Sequence, residues 1–195
     1  MIAIRRALAS DAAAIGAVHV ASWRSTYPGI VPDHYLTRMS VSRQALHYDH
    51  AIRSATGTKP GAVFVAVASG PDVPPCDRPV VVGFVTAGPA RLRQFSGQAL
   101  AEGEIETLYV LDDWRDRGIG RRLIHAAAVH LAETGCNSVE VWVLSDNPSR
   151  WFYRRLDGRE AAQSSVQVGG QCLPQTAFVW DPIDRLLRAS PLSGN

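Results

Sequence analysis

Residues 115–120 read Arg-Asp-Arg-Gly-Ile-Gly, and two more arginines follow directly. The stretch lies where a strand-like run at residues 104–111 gives way to a helical pattern at residues 118–134. A helix N-terminus leaves several backbone N–H groups unpaired and concentrates partial positive charge, so glycines there let an anionic group reach the backbone. Gly118 and Gly120 supply that access. Arg115, Arg117, Arg121 and Arg122 against Asp116 give a local charge of +3, whereas the whole chain carries +2. The chemistry such a turn can serve is binding of a phosphate or diphosphate. The competing reading is a solvated helix start whose glycines fit a tight turn.

Two familiar phosphate motifs are excluded by the residues present. A dinucleotide fingerprint requires a third small residue three places after Gly120, where Leu123 stands, and a mononucleotide loop requires a Gly-Lys pair, which is absent. Nor does any Gly-x-Ser-x-Gly elbow suggest a serine acyl-enzyme. Glu104 and Glu106 alternate onto one face of the strand just before the turn. They read either as a catalytic pair, in which one carboxyl has a raised pKa and both favour a cationic substrate, or as a solvated pair. His47 and His50, three apart, have no evident third metal ligand, and His125 and His130 read as packing or surface residues. No metal is expected.

The elements that must position these groups can be read from periodicity and turn chemistry. A short opening strand at residues 2–7 leads to a helix capped near Ser10-Asp11 and ending near Trp23, and a second helix is expected from about Pro32 to Ile52. Residues 62–68 and 80–87 form a hairpin around a Pro-rich loop at residues 70–79. The helix after the glycines carries Ile119, Leu123, Ala127 and Leu131 on one stripe and stops at Gly135. A strand follows at residues 139–143, then a helix starting at Asn147-Pro148, with Asn at the cap and Pro in the first turn. Strands at residues 159–168 and 174–180 close the sheet. Trp23, Tyr27 and Tyr35 either line an acceptor pocket or pack in the core or a lid.

Residues 108–114, Leu-Tyr-Val-Leu-Asp-Asp-Trp, followed by Arg115-Asp116-Arg117-Gly118-Ile119-Gly120-Arg121-Arg122-Leu123-Ile124, resemble the cofactor motif of the GNAT N-acetyltransferase superfamily. That motif is Arg or Gln, two residues, Gly, one residue, then Gly or Ala. Asn147-Pro148 with Phe152-Tyr153-Arg154-Arg155-Leu156 resembles the later motif of the same family, and the two in this order are far more specific than either alone. The resemblance implies an acetyl-coenzyme A site. Amides around Arg115, Arg117, Gly118, Ile119, Gly120, Arg121 and Arg122 would hold the diphosphate. The backbone of Leu108, Tyr109 and Val110 would border the pantetheine arm, Leu108 and Val110 pairing with it as with an added strand. An N–H near Leu108 would face the thioester carbonyl. Tyr153 is implied as general acid toward the departing thiolate, Asn147 as a pantetheine contact beside its capping role, and Glu104 or Glu106 as the base; Tyr153 otherwise reads as amphipathic packing. One departure is Asp157, where a Gly commonly stands.

The expected fold is α/β, GNAT-like, with a mixed, largely antiparallel central sheet flanked by helices, splayed around residues 108–111 and 139–144. One domain over residues 1–182 and a C-terminal tail at 183–195 are expected. A content of 46% hydrophobic and 19% charged residues over 195 positions suits one moderate core. The charge of +2 is too small to favour nucleic acid or a membrane surface, and three scattered cysteines suit a reducing cytoplasm. The expected activity is acetyl transfer from acetyl-CoA to a primary amine of a small molecule or peptide by direct attack. The rivals are a non-catalytic acyl-CoA-binding module and, more weakly, a nucleotide-binding protein. Exposed closing strands could pair in a homodimer.

Overall fold

The valine-rich runs near the middle of the chain have no polar face to offer water, and in the computed structural model they lie inside a seven-stranded sheet. The structure describes residues 1–55, 61–70, 73, 79–91 and 99–191. Its strands are β1 (Ile2–Arg6), β2 (Ala62–Ala68), β3 (Val80–Pro89), β4 (Gly103–Val110), β5 (Val139–Leu144), β6 (Arg159–Val168) and β7 (Gln171–Trp180), in the order β1-β2-β3-β4-β5-β7-β6. Every pairing is antiparallel except that of β4 with β5. The described helices are α1 (Ala12–Thr26), α2 (Asp33–Arg38), α3 (Val41–Ser54), α4 (Ile119–Glu133), α5 (Arg150–Arg155) and α6 (Asp184–Ala189).

The sheet carries a core on each face. On one, Leu123, Ile124 and Leu131 of α4 pack against Ile105, Val141 and Phe178. On the other, Ile15 of α1 and Tyr48 of α3 pack against Val65 and Phe84. Burying both faces is what makes the central strands continuously apolar.

Four of the boundaries that differ from the sequence reading have a local reason. α1 runs on to Thr26 rather than ending near Trp23, and the C-cap residue Tyr27 still donates its N–H to the Trp23 carbonyl. The single helix expected from Pro32 to Ile52 is two, because Met39 is extended and the Ser40 side chain accepts the Arg43 N–H as the N-cap of α3. α5 begins at Arg150, later than expected, because residues 147–149 form a turn in which the Ser149 N–H donates to Asn147 Oδ1 at 2.8 Å. Beyond Trp180, α6 adds an element the sequence pattern did not reveal and seats Leu186 fully in the core. Asp157 takes the left-handed conformation, φ 63°, at the end of α5, and its carboxylate accepts from Arg185 Nε at 2.9 Å.

Candidate active site

β4 and β5 are in register only at Gly103–Val139, Glu104–Glu140 and Ile105–Val141, after which the two strands part. The parting coincides with a bulge: Thr86 of β3 pairs with Thr107 while Ala87 pairs with Ile105, leaving Glu106 as the extra residue. A bulge bends its strand and resets the alternation of side chains. Ile105 therefore shares the α4-side core with Leu108 and Val110, whereas Tyr109 and Leu111 pack on the α1–α3 side. The Leu111 N–H donates to the Val82 carbonyl at 2.9 Å, which fixes the backbone alternation beyond the bulge. Thr107 and Tyr109 turn their N–H and C=O groups to β3, and Leu108 and Val110 turn theirs toward the gap. An unpaired strand edge thus borders a cleft of about 1000 Å³.

That edge runs into the arginine–glycine turn. A 3-10 turn at Asp112–Trp114 ends β4, Asp116 has φ 59° and Gly118 has φ 71°, so two left-handed residues in quick succession aim the chain into α4. Such a reversal turns successive N–H groups toward one side. Among the described residues, no backbone carbonyl accepts from the amides of residues 116–121; the Arg122 N–H is the first to return to the helix, donating to the Gly118 carbonyl at 3.1 Å. Gly120 leaves room in front of these amides, and a Cβ there would first meet Phe152 Cζ at 3.5 Å. The side chains divide by role. Arg121 is exposed and lines the cleft, and Arg115 pairs with Asp112 at 2.7 Å and donates to Thr26 Oγ1 at 2.9 Å. Arg117 stacks over Trp114 at 4.8 Å, and Arg122 donates to the Ile2 carbonyl; neither lines the cleft.

Tyr153 and Asn147 reach the cleft from the far side. Tyr153 is buried among Phe152, Phe178 and Trp180, and this burial, with Tyr27 nearby, pushes its phenol pKa well above the ordinary value of 10. The hydroxyl is consequently a proton carrier at any physiological pH. Asn147 is buried with both ends of its amide engaged, Oδ1 by the Ser149 N–H and Nδ2 donating to Tyr27 Oη at 3.0 Å. Its side chain therefore sets the position of Tyr27 in the cleft wall.

The two strand carboxylates have different fates. Glu104 is buried and accepts from the Arg91 N–H, Nε and Nη2 at 3.2, 3.0 and 2.7 Å. Glu106, on the bulge, is exposed in the cleft. Facing it is a wall the sequence reading only half anticipated. His19 and Trp23 of α1 and its C-cap Tyr27 line the cleft, and their four-residue spacing was the available signal. Tyr48 of α3 and Tyr109 of β4 complete the wall, with Tyr48 Oη and His19 Nδ1 at 2.7 Å and Trp23 Nε1–H donating to Tyr109 Oη at 2.8 Å. Tyr109 thus differs from Leu108 and Val110, with its ring in this wall and its backbone paired to β3. Tyr35 does not line the cleft but packs against Trp23, ring centroids 5.8 Å apart. Ser22 Oγ is buried in the same wall and has no hydrogen-bond partner among the described residues. The Pro-rich loop at residues 70–79 lies mostly outside the described residues. Among the described residues no group of three or more His, Cys, Asp or Glu side chains could hold a metal ion, and no helix is long and apolar enough to cross a membrane.

Burial, with His47 adding to it, pushes the His19 imidazole from 6.5 down to about 4. The unfolded chain binds this proton first, so stability should fall as the pH drops from 6.5 toward 4, by on the order of 2 kcal/mol, and be fully present above 6.5. Asp11, whose pKa is lowered by Arg5, acts below that window. Denaturant titrations of wild type and His19→Gln at pH 7 and 4.5 test this; equal losses in both proteins would contradict it.

A family model described as "Acetyltransferase (GNAT) family" matches residues 23–158. The chain is 31% identical over 186 residues, covering 95% of its length and 96% of the relative's, to the uncharacterized N-acetyltransferase YuaI of Bacillus subtilis (strain 168). Among solved structures it is similar to the PaiA N-acetyltransferase of Thermoplasma acidophilum in complex with coenzyme A, with TM-score 0.64, 16% identity and coverage of 90% of this chain and 98% of that one. It is also similar to yncA of Salmonella typhimurium, solved with its cofactor acetyl-CoA, with TM-score 0.61, 18% identity and coverage of 92% and 93%.

Proposed function

The chain belongs to the GNAT acetyltransferase family, and from that premise we propose that it moves an acetyl group from acetyl-CoA to a primary amine by direct attack within the β4–β5 cleft. The observation that carries this reading is the continuity of an unpaired strand edge at Leu108 and Val110 with the unpaired amides of residues 116–121. An extended arm with two amide groups can add to such an edge as a strand would, and a diphosphate suits the turn at its end. Residues and ligand class therefore fit. Acetyl-CoA supplies the activated thioester and a thiolate leaving group.

The chain's own groups divide the remaining work. The Leu108 N–H, free on the gap side, is available to a carbonyl oxygen that gains negative charge. The Tyr153 hydroxyl holds a proton for a leaving thiolate. Glu106 is the carboxylate placed to take a proton from an ammonium, because Glu104 is committed to Arg91. An alkylammonium with a reference pKa near 10 is mostly charged at neutral pH, so this removal is required before attack.

Titration with acetyl-CoA followed by thiol release over a panel of amines tests the function. Saturable binding with release is expected; no saturable binding sinks the reading, and binding without release from any amine favours a non-catalytic acyl-CoA module. Glu106→Gln should lower kcat at pH 7 by about 10²-fold and regain much of it as the pH approaches the amine's own pKa. A pH-independent loss would assign Glu106 to binding instead.

A further inference from the structure

Resting on the acetyltransferase reading above, we propose that the acceptor is an arylalkylamine, a primary amine on a flat, otherwise uncharged aromatic body received by the wall of α1, α3 and β4. His19 stacks on Trp23 with ring centroids 5.5 Å apart and planes 28° apart, and meets Tyr109 at 5.1 Å; Trp23 in turn meets Tyr27 at 4.8 Å. Aromatic faces and edges of this kind receive another ring in stacked or edge-on contact.

Several polar atoms of the wall are already used. The Trp23 indole N–H is on Tyr109, the Tyr48 hydroxyl is on His19, and the Tyr27 hydroxyl accepts from Asn147. An acceptor body rich in polar groups would lose its hydration here and find the indole N–H and the His19–Tyr48 pair already engaged. An apolar ring loses nothing comparable.

Charge narrows the class further. The ionisable groups at this end of the cleft are Glu106, the Glu104–Arg91 pair, His19 and His47. His19 is neutral at pH 7, and the Arg91 guanidinium is held by Glu104, so an acceptor carboxylate would meet Glu106 rather than an uncommitted guanidinium. A single ammonium suits Glu106. A polyamine carries no ring to stack on this wall.

The test is equilibrium binding by calorimetry to the full chain saturated with coenzyme A, using 2-phenylethylamine, ethylamine, spermidine and L-phenylalanine. 2-Phenylethylamine should bind at least about tenfold more tightly than ethylamine, and more tightly than L-phenylalanine or spermidine. Trp23→Leu should remove about tenfold of that preference while coenzyme A affinity stays within about twofold, and Trp23→Phe should restore most of it. Equal binding of ethylamine and 2-phenylethylamine, or tightest binding of spermidine or L-phenylalanine, overturns the proposal. Wild-type protein that does not bind coenzyme A overturns the acetyltransferase reading instead, and the amine series repeated without coenzyme A still decides the ring preference.

Discussion

Tyr153→Phe is expected to lower kcat by about 10²- to 10³-fold while the dissociation constant for acetyl-CoA changes by less than about twofold. The substitution keeps the ring among Phe152, Phe178 and Trp180, so the packing that holds α5 against the sheet is preserved. What it removes is one proton at the cleft wall. Burial raises the Tyr153 pKa, so the wild-type hydroxyl stays protonated and its ionisation should produce no alkaline fall in rate up to at least the reference phenol value of about 10. Single-turnover measurements separate the step from binding and product release. Unchanged single-turnover rates, or a loss carried wholly by acetyl-CoA affinity, would remove Tyr153 from the chemistry.

Gly120 should separate cofactor binding from fold stability with opposite signs. Gly120→Val is expected to raise the acetyl-CoA dissociation constant by roughly 10- to 100-fold, the worth of one or two charge-assisted amide hydrogen bonds. Gly120→Ala should weaken binding less. A Cβ at this position meets Phe152 at ordinary van der Waals distance, so the ligand-free fold accommodates it. The position lies in the first turn of α4, where alanine gains up to about 1 kcal/mol over glycine in helix propensity. Gly120→Ala should therefore melt at the same temperature as wild type or slightly higher, yet bind acetyl-CoA more weakly. Gly118 gives the contrasting control. Its φ of 71° makes any side chain there strained, so Gly118→Ala should lose stability as well as affinity. Thermal melts with and without acetyl-CoA read both quantities, and wild-type affinity in Gly120→Val would show that the diphosphate does not rest on this turn.

The parts of the site that follow from neighbours in sequence could be read directly from the chain. A glycine-rich helix start after a strand exposes amides wherever the rest of the fold lies, and the later motif selects Tyr153 from among five tyrosines. The sheet's mixed character was legible too, because an eight-residue strand followed by a crossover helix and another strand calls for a parallel pair, whereas its splay was expected only from the family resemblance. Asp157 could be expected in a left-handed turn because of its place at a helix end, and its φ of 63° agrees.

Groups that depend on contacts far apart in sequence were not legible. Glu104 and Glu106 are equivalent by alternation, and only the register of β4 on β3 makes Glu106 a bulge and places Glu104 against Arg91. Asn147 has the sequence of a helix cap, but the position of Tyr27, 120 residues away, engages its other end. His19 and Tyr48 carry no motif at all. They became part of the cleft wall because α1 and α3 pack together over one face of the sheet. From sequence alone came the cationic, glycine-rich turn, since backbone conformation at a helix terminus is decided by adjacent residues. Which carboxylate is exposed in the cleft and which rings face it were decided by tertiary structure, because burial, ion pairing and ring stacking depend on which distant surfaces meet.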